Sequence, residues 1–551
     1  MATDERWYDD AVFYAVDVEA FADGNGDGVG DFPGLIDRLD HLDALGVDCV
    51  WLLPFYPSPN RDNGYDVADY YGVDDRHGTL GDFVAFVRAA DRLGIRVLVD
   101  LVVNHTSDQH PWFRRAREDP DSPYRDYYVW VDDPPEWPDP DRGPVFPGEE
   151  DTVWSYDEAA EAFYYHRFYH FQPDLNVANP DVRAEIRNVM DFWLRLGVDG
   201  FRVDAATLMI DNKGGLESTR LDDPHGVIRD LRRFVARRGD DAVLLAEADD
   251  EPDRLADYFG DGDECNVLLN FLLDAYLVAA LAERRADPLR RVLDLLPAIP
   301  EEGQWANFLR NYDELNLGRL PTADREAVFE AFAPDEAMGI YGRGIRRRLA
   351  PMLGDRDRIE LAYSLLFSLP GAPLLVYGDE IGMGEDLSLP GRDAVRTPMQ
   401  WADEPNGGFS PADADDLVRP VIAGGGYGYE AVNVADQRED PDSLLRWFGR
   451  LIRTRHACPA IGTGACEVLD VDDPAVFAHR IAGDDGAVVA VHNLDDSPTA
   501  VSIALDGDPT VAFGRDGASV RPADDATDGS ERARAWRFDL DGYGYCWVRP
   551  D

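Results

Sequence analysis

The sequence has little positive charge and almost no lysine. Among its 551 residues, 53 lysines and arginines stand against 108 aspartates and glutamates, and Lys213 is the one lysine. A formal net charge of −55 argues against a nucleic-acid-binding protein, because that function needs basic patches. The acids are spread over the whole length, and so much like charge would push a compact fold apart in dilute buffer. We therefore predict a protein adapted to a very salty cytoplasm, where salt screens the repulsion; an ordinary acidic protein is the alternative.

Cysteine is also scarce, and long apolar runs are missing. No cysteine pair has the C-x-x-C spacing, so the sequence indicates neither a zinc site nor a disulfide framework; the five are Cys49, Cys265, Cys458, Cys466 and Cys546. The first residues, MATDERWYDD, have neither the basic nor the apolar region of a signal peptide. No run reaches the ~18 apolar residues of a membrane span. We predict a cytoplasmic protein with no membrane or nucleic-acid partner, and a homo-oligomer stays open.

Short apolar runs alternate with helical patterns through the first 400 or so residues. The strand-like runs are 11–18, 49–54, 96–103, 200–205, 243–248, 266–271, 305–311 and 372–380. Helical stretches such as 34–46 and 82–94 lie between them and end in glycine, as helices often do. Eight strand–helix units predict an α/β protein with a (β/α)₈ barrel. An open doubly wound sheet is the alternative.

Two segments do not follow this alternation. About 95 residues separate the third run from the fourth, and the interval holds a loop from Asp119 to Pro147 rich in Pro, Asp, Tyr and Trp. We predict an inserted subdomain at 105–176, within a barrel formed by 1–104 and 177–460. A helix at 443–457 precedes short alternating runs at 475–482, 487–494, 500–505 and 545–550. They predict a C-terminal antiparallel β-sandwich domain at 461–551.

The strand ends carry polar residues, and catalytic groups of such barrels lie at the carboxyl ends of strands. They are Asn104 and His105 on the third run, Arg202 and Asp204 on the fourth, Glu247 on the fifth, and Asn311, Tyr312 and Asp313 on the seventh. The i, i+2 spacing puts Arg202 beside Asp204, which predicts a lowered pKa and an ionised carboxylate. Apolar residues precede Glu247 and favour its protonated form. A carboxylate that attacks and a carboxyl that donates a proton are what retaining cleavage of a glycosidic bond needs, if they lie ~5 Å apart.

Ordered motifs around these residues resemble the α-amylase family, glycoside hydrolase family 13. They are DLVVNH (100–105), QPDLN (172–176), GFRVDAA (200–206), EA (247–248) and NYD (311–313). QPDLN and RTPMQW (396–401) are similar to the branch with oligo-1,6-glucosidases, α-glucosidases and enzymes that interconvert maltose and trehalose. Longer stretches resemble the last group most closely: WLLPFYPSP (51–59), NHTSDQHPWFRRAR (104–117), YFGDGDEC (258–265), RGIRRRLAPML (343–353) and YGDEIGMGED (377–386).

The resemblance implies conversion of maltose to trehalose through a covalent glucosyl-aspartate, with some hydrolysis to glucose. One alternative is an α-glucosidase that hydrolyses small α-glucosides. The other is a non-catalytic barrel chain that assists a membrane transporter, although such chains typically lack the carboxylates and carry an anchor. Isomerisation requires that water be excluded from the active site while the freed glucose reorients there. The inserted subdomain and the loop 402–416 are the candidate lids.

The resemblance also implies a role for each site residue. Asp204 would be the nucleophile, Glu247 the general acid/base, and Asp313 the carboxylate that grips the sugar hydroxyls. Arg202 would orient Asp204. The substrate would contact Tyr65 by stacking, Asp66 at its non-reducing end, His105 at a hydroxyl and Arg392 at the leaving sugar. Tyr312 departs from the family, which has histidine there; its phenol can still donate a hydrogen bond.

Two metal sites are predicted, both for structural Ca²⁺. The stretch DGNGDGVGD (23–31) begins like an EF-hand, with oxygen ligands at alternate positions, but loop position 12 is Gly34 instead of glutamate. Its ligands would be Asp23, Asn25, Asp27, the Val29 carbonyl and Asp31. The resemblance implies a second calcium at the base of the inserted subdomain, held by Asn104, Asp174, the carbonyls of Leu208 and Met209, and Asp211. A tight glycine turn and a polar joint without metal are the respective alternatives.

Overall fold

The computed structural model of the chain describes residues 6–135, 143–239, 241–523 and 534–550. Residues 136–142 of the predicted loop at 119–147 lie outside that description. In chain order the strands are β1 (Phe13–Val16), β2 (Cys49–Leu52), β3 (Arg96–Leu101), β4 (Trp130–Val131), β5 (Trp154–Asp157), β6 (Ala162–Tyr165), β7 (Gly200–Val203), β8 (Val243–Ala246), β9 (Val267–Leu269), β10 (Gln304–Asn307), β11 (Leu315–Asn316), β12 (Gly339–Ile340), β13 (Gly344–Ile345), β14 (Ala372–Val376), β15 (Ala465–Val468), β16 (Val476–Gly483), β17 (Gly486–Asn493), β18 (Thr499–Leu505), β19 (Thr510–Gly514), β20 (Ser519–Pro522), β21 (Arg534–Leu540) and β22 (Tyr545–Arg549).

The α-helices are α1 (Val18–Phe21), α2 (Phe32–Asp37), α3 (Leu39–Leu45), α4 (Leu80–Leu93), α5 (Pro111–Glu118), α6 (Pro180–Leu196), α7 (Ala206–Met209), α8 (Pro224–Ala236), α9 (Phe271–Glu283), α10 (Asp287–Leu295), α11 (Thr322–Phe332), α12 (Leu349–Leu353), α13 (Arg356–Ser368), α14 (Val434–Glu439), α15 (Leu444–His456) and α16 (Ala460–Thr463). None of these described helices is long and apolar enough to cross a membrane.

Eight parallel strands close into a barrel in the order β1-β14-β10-β9-β8-β7-β3-β2. Each predicted run overlaps one of these strands, so the (β/α)₈ prediction is confirmed and the open sheet is excluded. The barrel strands are buried on both faces, which is why they read as continuous apolar runs. Their carboxyl ends meet at one face of the barrel, where the polar residues follow.

The helices between the strands begin and end where local signals predict. Thr79 and Asp82 form a capping box at the start of α4, and Gly94 ends that helix with a φ of 77°. The predicted helix at 34–46 is instead two helices, because the chain turns at Arg38 between α2 and α3. Asp31 is the N-cap of α2 and accepts a hydrogen bond from the Gly34 N–H.

Two further β units stand outside the barrel. The strands β4, β6 and β5 form a small antiparallel sheet between β3 and β7, inside the predicted insertion. After α16, a five-stranded sheet, β15-β16-β17-β22-β19, packs on a three-stranded one, β18-β21-β20. Trp547 of the larger sheet donates a hydrogen bond to Ser364 of α13, so this domain is fastened to the barrel.

Candidate active site

Arg202 gathers three carboxylates from adjacent strands. Its Nη1 lies 2.6 Å from Asp204 Oδ1 and 2.8 Å from Asp100 Oδ1, and its Nη2 lies 2.6 Å from Glu247 Oε2. Arg202 is on β7 and Asp100 on β3, while Asp204 and Glu247 follow β7 and β8. Only 2% of the arginine side chain is exposed. The predicted nucleophile and acid therefore bind neighbouring nitrogens of one buried guanidinium group.

The protonation of Asp204 differs from the prediction. Burial raises the pKa of Asp204 to about 7, and the charge of Arg202 only opposes that rise. The prediction of a lowered pKa was wrong because it weighed the neighbouring arginine without the cost of burying the carboxylate. Burial likewise raises the pKa of Glu247 to about 7, again against Arg202 and with the help of Asp204. The predicted upward direction for Glu247 is confirmed.

Asp313 is the ionised carboxylate of the site. It lies six residues beyond β10, with its Oδ1 3.1 Å from Arg392 Nη1 and also bonded to Arg396. Burial acts to raise the pKa of Asp313, but Arg392 and Arg396 outweigh it and hold that pKa below its ordinary value. The sequence prediction named Arg392 as a contact of the leaving sugar; here it also fixes Asp313. Arg396 was missed, although it opens the RTPMQW motif.

Tyr312 turns its hydroxyl toward the first barrel loop. The phenol donates to Asp17 Oδ2 at 2.5 Å and accepts a hydrogen bond from Asn63 Nδ2. The Arg396 guanidinium lies over the phenol ring, 4.3 Å from its centroid. Arg419, which sequence reasoning also missed, binds Asn63 and Asp17. The tyrosine thus supports Arg396 on one side and joins a buried polar network on the other.

Tyr65 and His105 adjoin the pocket, by which we mean the region between Asp204, Glu247 and Asp313. The Tyr65 hydroxyl donates to Asp100 Oδ2 at 3.3 Å, and its ring centroid lies 6.0 Å from the Arg202 guanidinium. His105 donates from Nε2 to the Tyr65 carbonyl at 3.2 Å. Burial lowers the pKa of His105 to about 4, so this histidine is neutral at pH 7.

Asp66 is not placed as predicted. It is fully buried and accepts hydrogen bonds from the Ser58 hydroxyl at 2.8 Å and from Arg61 Nε at 3.2 Å. Its carboxylate therefore closes the loop 58–66 through bonds to Ser58 and Arg61. Asp62 takes the pocket position: Gln172 Nε2 donates to it at 2.9 Å, and the charges of the Asp313-binding arginines act on it. Both aspartates stand in the stretch RDNGYD, so the sequence pattern does not distinguish them. The path of the folded loop decides which of the two reaches the site.

The inserted subdomain is joined to the loops that follow the barrel strands through aromatic contacts. The Phe146 ring centroid lies 4.6 Å from that of Tyr169 and 5.1 Å from that of Tyr341, on the loop before β13. The Arg392 guanidinium lies 4.7 Å from the Phe146 centroid, and Arg343 Nη2 donates to the Val145 carbonyl at 3.0 Å. The insertion therefore has the contacts expected of a lid.

The second predicted lid packs elsewhere. The loop 402–416 lies on the loop 23–31, where Ser410 Oγ donates to Asp23 Oδ2 at 2.6 Å and the Asp23 N–H bonds the Phe409 carbonyl at 3.0 Å. A Cβ at Gly28, whose φ is 91°, would meet the Asp416 carbonyl at 2.2 Å. These contacts fix the loop 402–416 against the loop 23–31.

The loop 23–31 is closed by its own hydrogen bonds. Asp23 accepts from the N–H groups of Gly26 at 2.7 Å and Gly28 at 2.8 Å. Asp31 accepts from the N–H groups of Gly24 at 3.0 Å and Asn25 at 3.0 Å. Within the described part of the chain, no three acidic, histidine or cysteine side chains converge on one metal position. The Asp27 side chain is at the outer rim, where its Oδ1 accepts from the Val29 N–H.

The second predicted metal set is only partly brought together. Asn104 and Asp174 touch, with Asn104 Nδ2 3.3 Å from Asp174 Oδ2. Asp211 instead caps the Asn212 N–H at 2.8 Å and lies 3.7 Å from Arg167 Nη1. The Leu208 carbonyl accepts a hydrogen bond from the Asp211 N–H where the chain leaves α7. The ammonium of Lys213 lies between Asn104 and Asp174, so these residues do not fit a calcium ion.

Comparisons with known proteins agree with this geometry. The family described as alpha amylase, catalytic domain, matches residues 16–323 and 346–464, and a sucrose hydrolase-like C-terminal domain matches 486–549. A trehalose synthase/amylase of Mycobacterium tuberculosis is 44% identical over 92% of this chain and 85% of its own length. A trehalose synthase of Pimelobacter sp. is 43% identical over 92% of this chain and 90% of its own. The crystal structure of the trehalulose synthase MutB from Pseudomonas mesoacidophila superposes with a TM-score of 0.77, at 27% identity over 98% of this chain and 99% of that one.

Proposed function

The chain belongs to the α-amylase family, and on that premise we propose that it converts maltose to trehalose by retaining, intramolecular glucosyl transfer. The observation that carries the proposal is the binding of Asp204 and Glu247 by one guanidinium group at 2.6 Å each. Two carboxyl groups bound to one guanidinium group suit a double displacement, in which one attacks the sugar and the other transfers the proton. The similarity to trehalose synthases over most of the chain supports the substrate class.

In the first step Asp204 attacks the anomeric carbon of the non-reducing glucose. The glycosidic C–O bond breaks, its electron pair stays on the leaving oxygen, and Glu247 gives that oxygen a proton. The product is a glucosyl ester on Asp204 and a free glucose. Glu247 is now ionised and stays bound to Arg202, so the negative charge that Asp204 loses on alkylation reappears beside the same guanidinium group.

The second step reverses the roles with a different hydroxyl. The freed glucose turns, and Glu247 takes the proton from its anomeric hydroxyl. That oxygen attacks the glucosyl ester, and the bond to Asp204 breaks. Two inversions retain the α configuration at the transferred carbon, which gives the α,α-1,1 linkage. Asp313 and Asp62 hold the hydroxyls of the bound glucosyl group, with Arg392 and Arg396 keeping Asp313 ionised.

The closed pocket supports transfer over hydrolysis. Asp204 is 5% exposed and Tyr312 3%, and the insertion covers the site through Phe146 and Tyr341. Water would compete with the retained glucose for the ester, so exclusion of water decides the product. A looser lid over the same residues would give the alternative, an α-glucosidase.

Labelled glucose separates the two outcomes. Purified enzyme in multimolar KCl is given maltose together with ¹³C-glucose, and the products are followed by chromatography and mass spectrometry. We expect trehalose to accumulate without label, because the glucose that returns never leaves the pocket. Label in trehalose would refute the intramolecular route, and glucose as the sole product would assign the α-glucosidase. Asp204→Asn is the inactive control.

We also propose that the loop 23–31 binds one structural calcium ion. Its donors are all oxygens at alternate positions, which is the chemistry that calcium prefers. Ordering around the ion would tighten the contact between Asp23 and Ser410. Calcium should raise the Tm of the wild type and leave that of an Asp23→Asn, Asp27→Ala double variant unchanged. An equal rise in both proteins would count against the loop as the binding site.

A further inference from the structure

The single lysine of the chain is buried at the base of the inserted subdomain. Lys213 has only 2% of its side chain exposed, in a protein whose other basic side chains, apart from histidines, are all arginines. It begins a short turn, Lys213–Gly215, nine residues beyond Asp204. Burying an ammonium group destabilises the fold unless the group is paired and fully hydrogen-bonded. The surroundings of Lys213 must therefore offset its desolvation.

Three oxygens surround the ammonium. The Nζ lies 2.6 Å from Asn104 Oδ1, 2.6 Å from Asp174 Oδ2 and 3.3 Å from the Asn104 carbonyl. An ammonium has three N–H donors, and here each has an acceptor. Asn104 and Asp174 are themselves fully buried. The lysine is therefore bound as a small cation would be, by oxygens that converge on one point.

These contacts join three parts of the chain. Asn104 follows barrel strand β3, Asp174 ends the insertion, and Lys213 belongs to the segment after α7 that carries on from Asp204. The Leu175 N–H donates to the Asn104 carbonyl at 2.8 Å, which joins the end of the insertion to the segment after β3. The turn of the lysine touches the insertion a second time, since a Cβ on Gly214 would lie 2.7 Å from the Trp154 ring.

The charges at this junction are already balanced. Lys213 pairs with Asp174, and Arg167 lies 3.7 Å from Asp211. The second oxygen of Asp174 is also engaged, because it accepts the Arg167 N–H at 3.0 Å. A divalent ion would add two positive charges to two neutral pairs, and it would need six to eight oxygen ligands where the ammonium now takes the converging ones.

We infer that Lys213 is a built-in cation that takes the place of a metal ion at the junction of barrel and inserted subdomain. The junction then needs no calcium, and a covalently attached charge cannot be lost to a chelator or displaced by high concentrations of potassium. Lys213 is a positioning residue: it holds the insertion and the segment after Asp204 in register and touches no reacting atom.

The first test removes the ammonium. Lys213→Met keeps the length of the side chain but leaves Asp174 charged and unpaired, so we expect the Tm to fall by about 5 °C or more. In Lys213→Ala the vacated space opens Asn104 Oδ1 and Asp174 Oδ2 to a cation, and millimolar CaCl₂ should restore part of the Tm.

The matched control is Arg455→Met. Arg455 is an equally buried cation that pairs with Asp10 at 3.4 Å and donates to the Phe367 and Gly371 carbonyls. Its loss should lower the Tm with no more recovery in CaCl₂ than the wild type gains. A wild-type Tm for Lys213→Met, or equal recovery in Lys213→Ala and Arg455→Met, would overturn the inference.

The second test leaves Lys213 unchanged, so it can be carried out even if the Lys213→Met and Lys213→Ala variants do not fold. The calcium content of purified protein is measured by elemental analysis after equilibration with CaCl₂ and gel filtration. The Asp23→Asn, Asp27→Ala variant, which disables the loop 23–31, should contain none. A calcium ion that remains in this variant and disappears on further substitution of Asp174→Asn would place metal at the junction and overturn the inference.

Discussion

At the scale of single residues, Arg202 decides how the site can titrate. Its guanidinium stands between Asp204, Glu247 and Asp100, and burial raises the pKa of each of them. Because the two catalytic carboxyl groups share that arginine, their protons come off as a coupled pair. The pair can hold a proton on Glu247 and leave Asp204 ionised in the same neutral range, which is the state that glucosyl transfer requires.

We therefore expect a bell-shaped pH profile with its maximum near pH 7. Below about pH 7 the raised pKa of Asp204 leaves the nucleophile protonated, and above it Glu247 loses the proton that the leaving oxygen needs. Initial rates on maltose across the neutral range measure both limbs. Glu247→Gln with α-glucosyl fluoride, whose leaving group needs no acid, should keep only the acidic limb in the burst of enzyme glucosylation. An undiminished rate well below the pKa of Asp204 would contradict the assignment.

Substitutions at Asp62 and at Asp66 should affect different properties, catalysis in the first case and stability in the second. Asp62→Asn weakens the grip on the substrate, and since a hydrogen bond to a charged group contributes about 1.5–3 kcal/mol, kcat/KM should fall about 10- to 100-fold with little change in Tm. Asp66→Asn disturbs the bonds to Ser58 and Arg61 and should instead lower the free energy of unfolding by about 1–3 kcal/mol. Steady-state kinetics and thermal unfolding of both variants, compared side by side, test the exchange of roles; the reverse pattern would restore the original prediction for Asp66.

Tyr312 should matter through its ring more than through its hydroxyl. Tyr312→Phe loses the bond to Asp17, which costs about 1–3 kcal/mol of stability, but keeps the contact with Arg396 at 4.3 Å. We expect kcat/KM to stay within about threefold of the wild type in Tyr312→Phe and to fall more than about tenfold in Tyr312→Ala, where Arg396 loses its support. Equal losses in the two variants would mean that the hydroxyl itself serves the substrate.

At the scale of elements, the insertion between β3 and β7 and the hairpin around β13 form one cover. Phe146, Tyr169 and Tyr341 lie in contact, and Arg392 stacks against the cluster from the side of Asp313. The same arginine therefore connects the cover to the catalytic carboxylates. A sugar bound under the cover would be shielded from water on the side where the lid meets the barrel.

Opening this cover should change the products. Phe146→Ala removes the ring that bridges the insertion and Tyr341, so water should reach the glucosyl ester and the ratio of glucose to trehalose should rise at least about threefold. The control is Tyr156→Ala, because Tyr156 belongs to the same insertion, on β5, but its side chain is 54% exposed. Product ratios from maltose by chromatography measure the effect. A ratio that stays constant in Phe146→Ala would remove this cluster from the lid.

At the scale of the whole molecule, the charge of −55 opposes folding unless salt screens it. Many of the arginines form ion pairs with neighbouring acids, such as Arg319 with Asp249 at 2.8 Å, yet the acids outnumber them about twofold. At molar salt the Debye length falls to about 3 Å, and the excess acids on the surface then stop repelling one another.

The Tm should accordingly rise as KCl increases from about 0.1 M to several molar. Glycine betaine at matched osmolality carries no net charge and should give a smaller rise. Calorimetric or fluorescence melting in both series provides the comparison. A Tm that is flat or falls in KCl would show that the acidic surface is not an adaptation to salt.

Local patterns determined most of the fold and the core of the site. The eight apolar runs became the barrel strands, and Asp204, Glu247 and Asp313 stand after strands as predicted, because strand periodicity and turn chemistry are properties of neighbouring residues. The break between α2 and α3 at Arg38 and the four extra strands of the C-terminal domain, β15, β19, β20 and β21, were not predicted. β15, β19 and β20 bury few of their side chains, so their sequences carry little apolar alternation and depend on the partner strands. β21 does alternate between buried and more exposed side chains, a signal that sequence reasoning overlooked.

The tertiary structure alone decided which side chains meet. The choice between Asp62 and Asp66 depended on the turn of one loop, and the raised pKa of Asp204 on how deeply a carboxylate is buried. Lys213 is more than a hundred residues from Asn104 in sequence and 2.6 Å from it in space. The sequence by itself determined the chemistry available at the barrel mouth. Contacts between distant segments decided which groups carry charge, because desolvation and pairing exist only once the chain has folded.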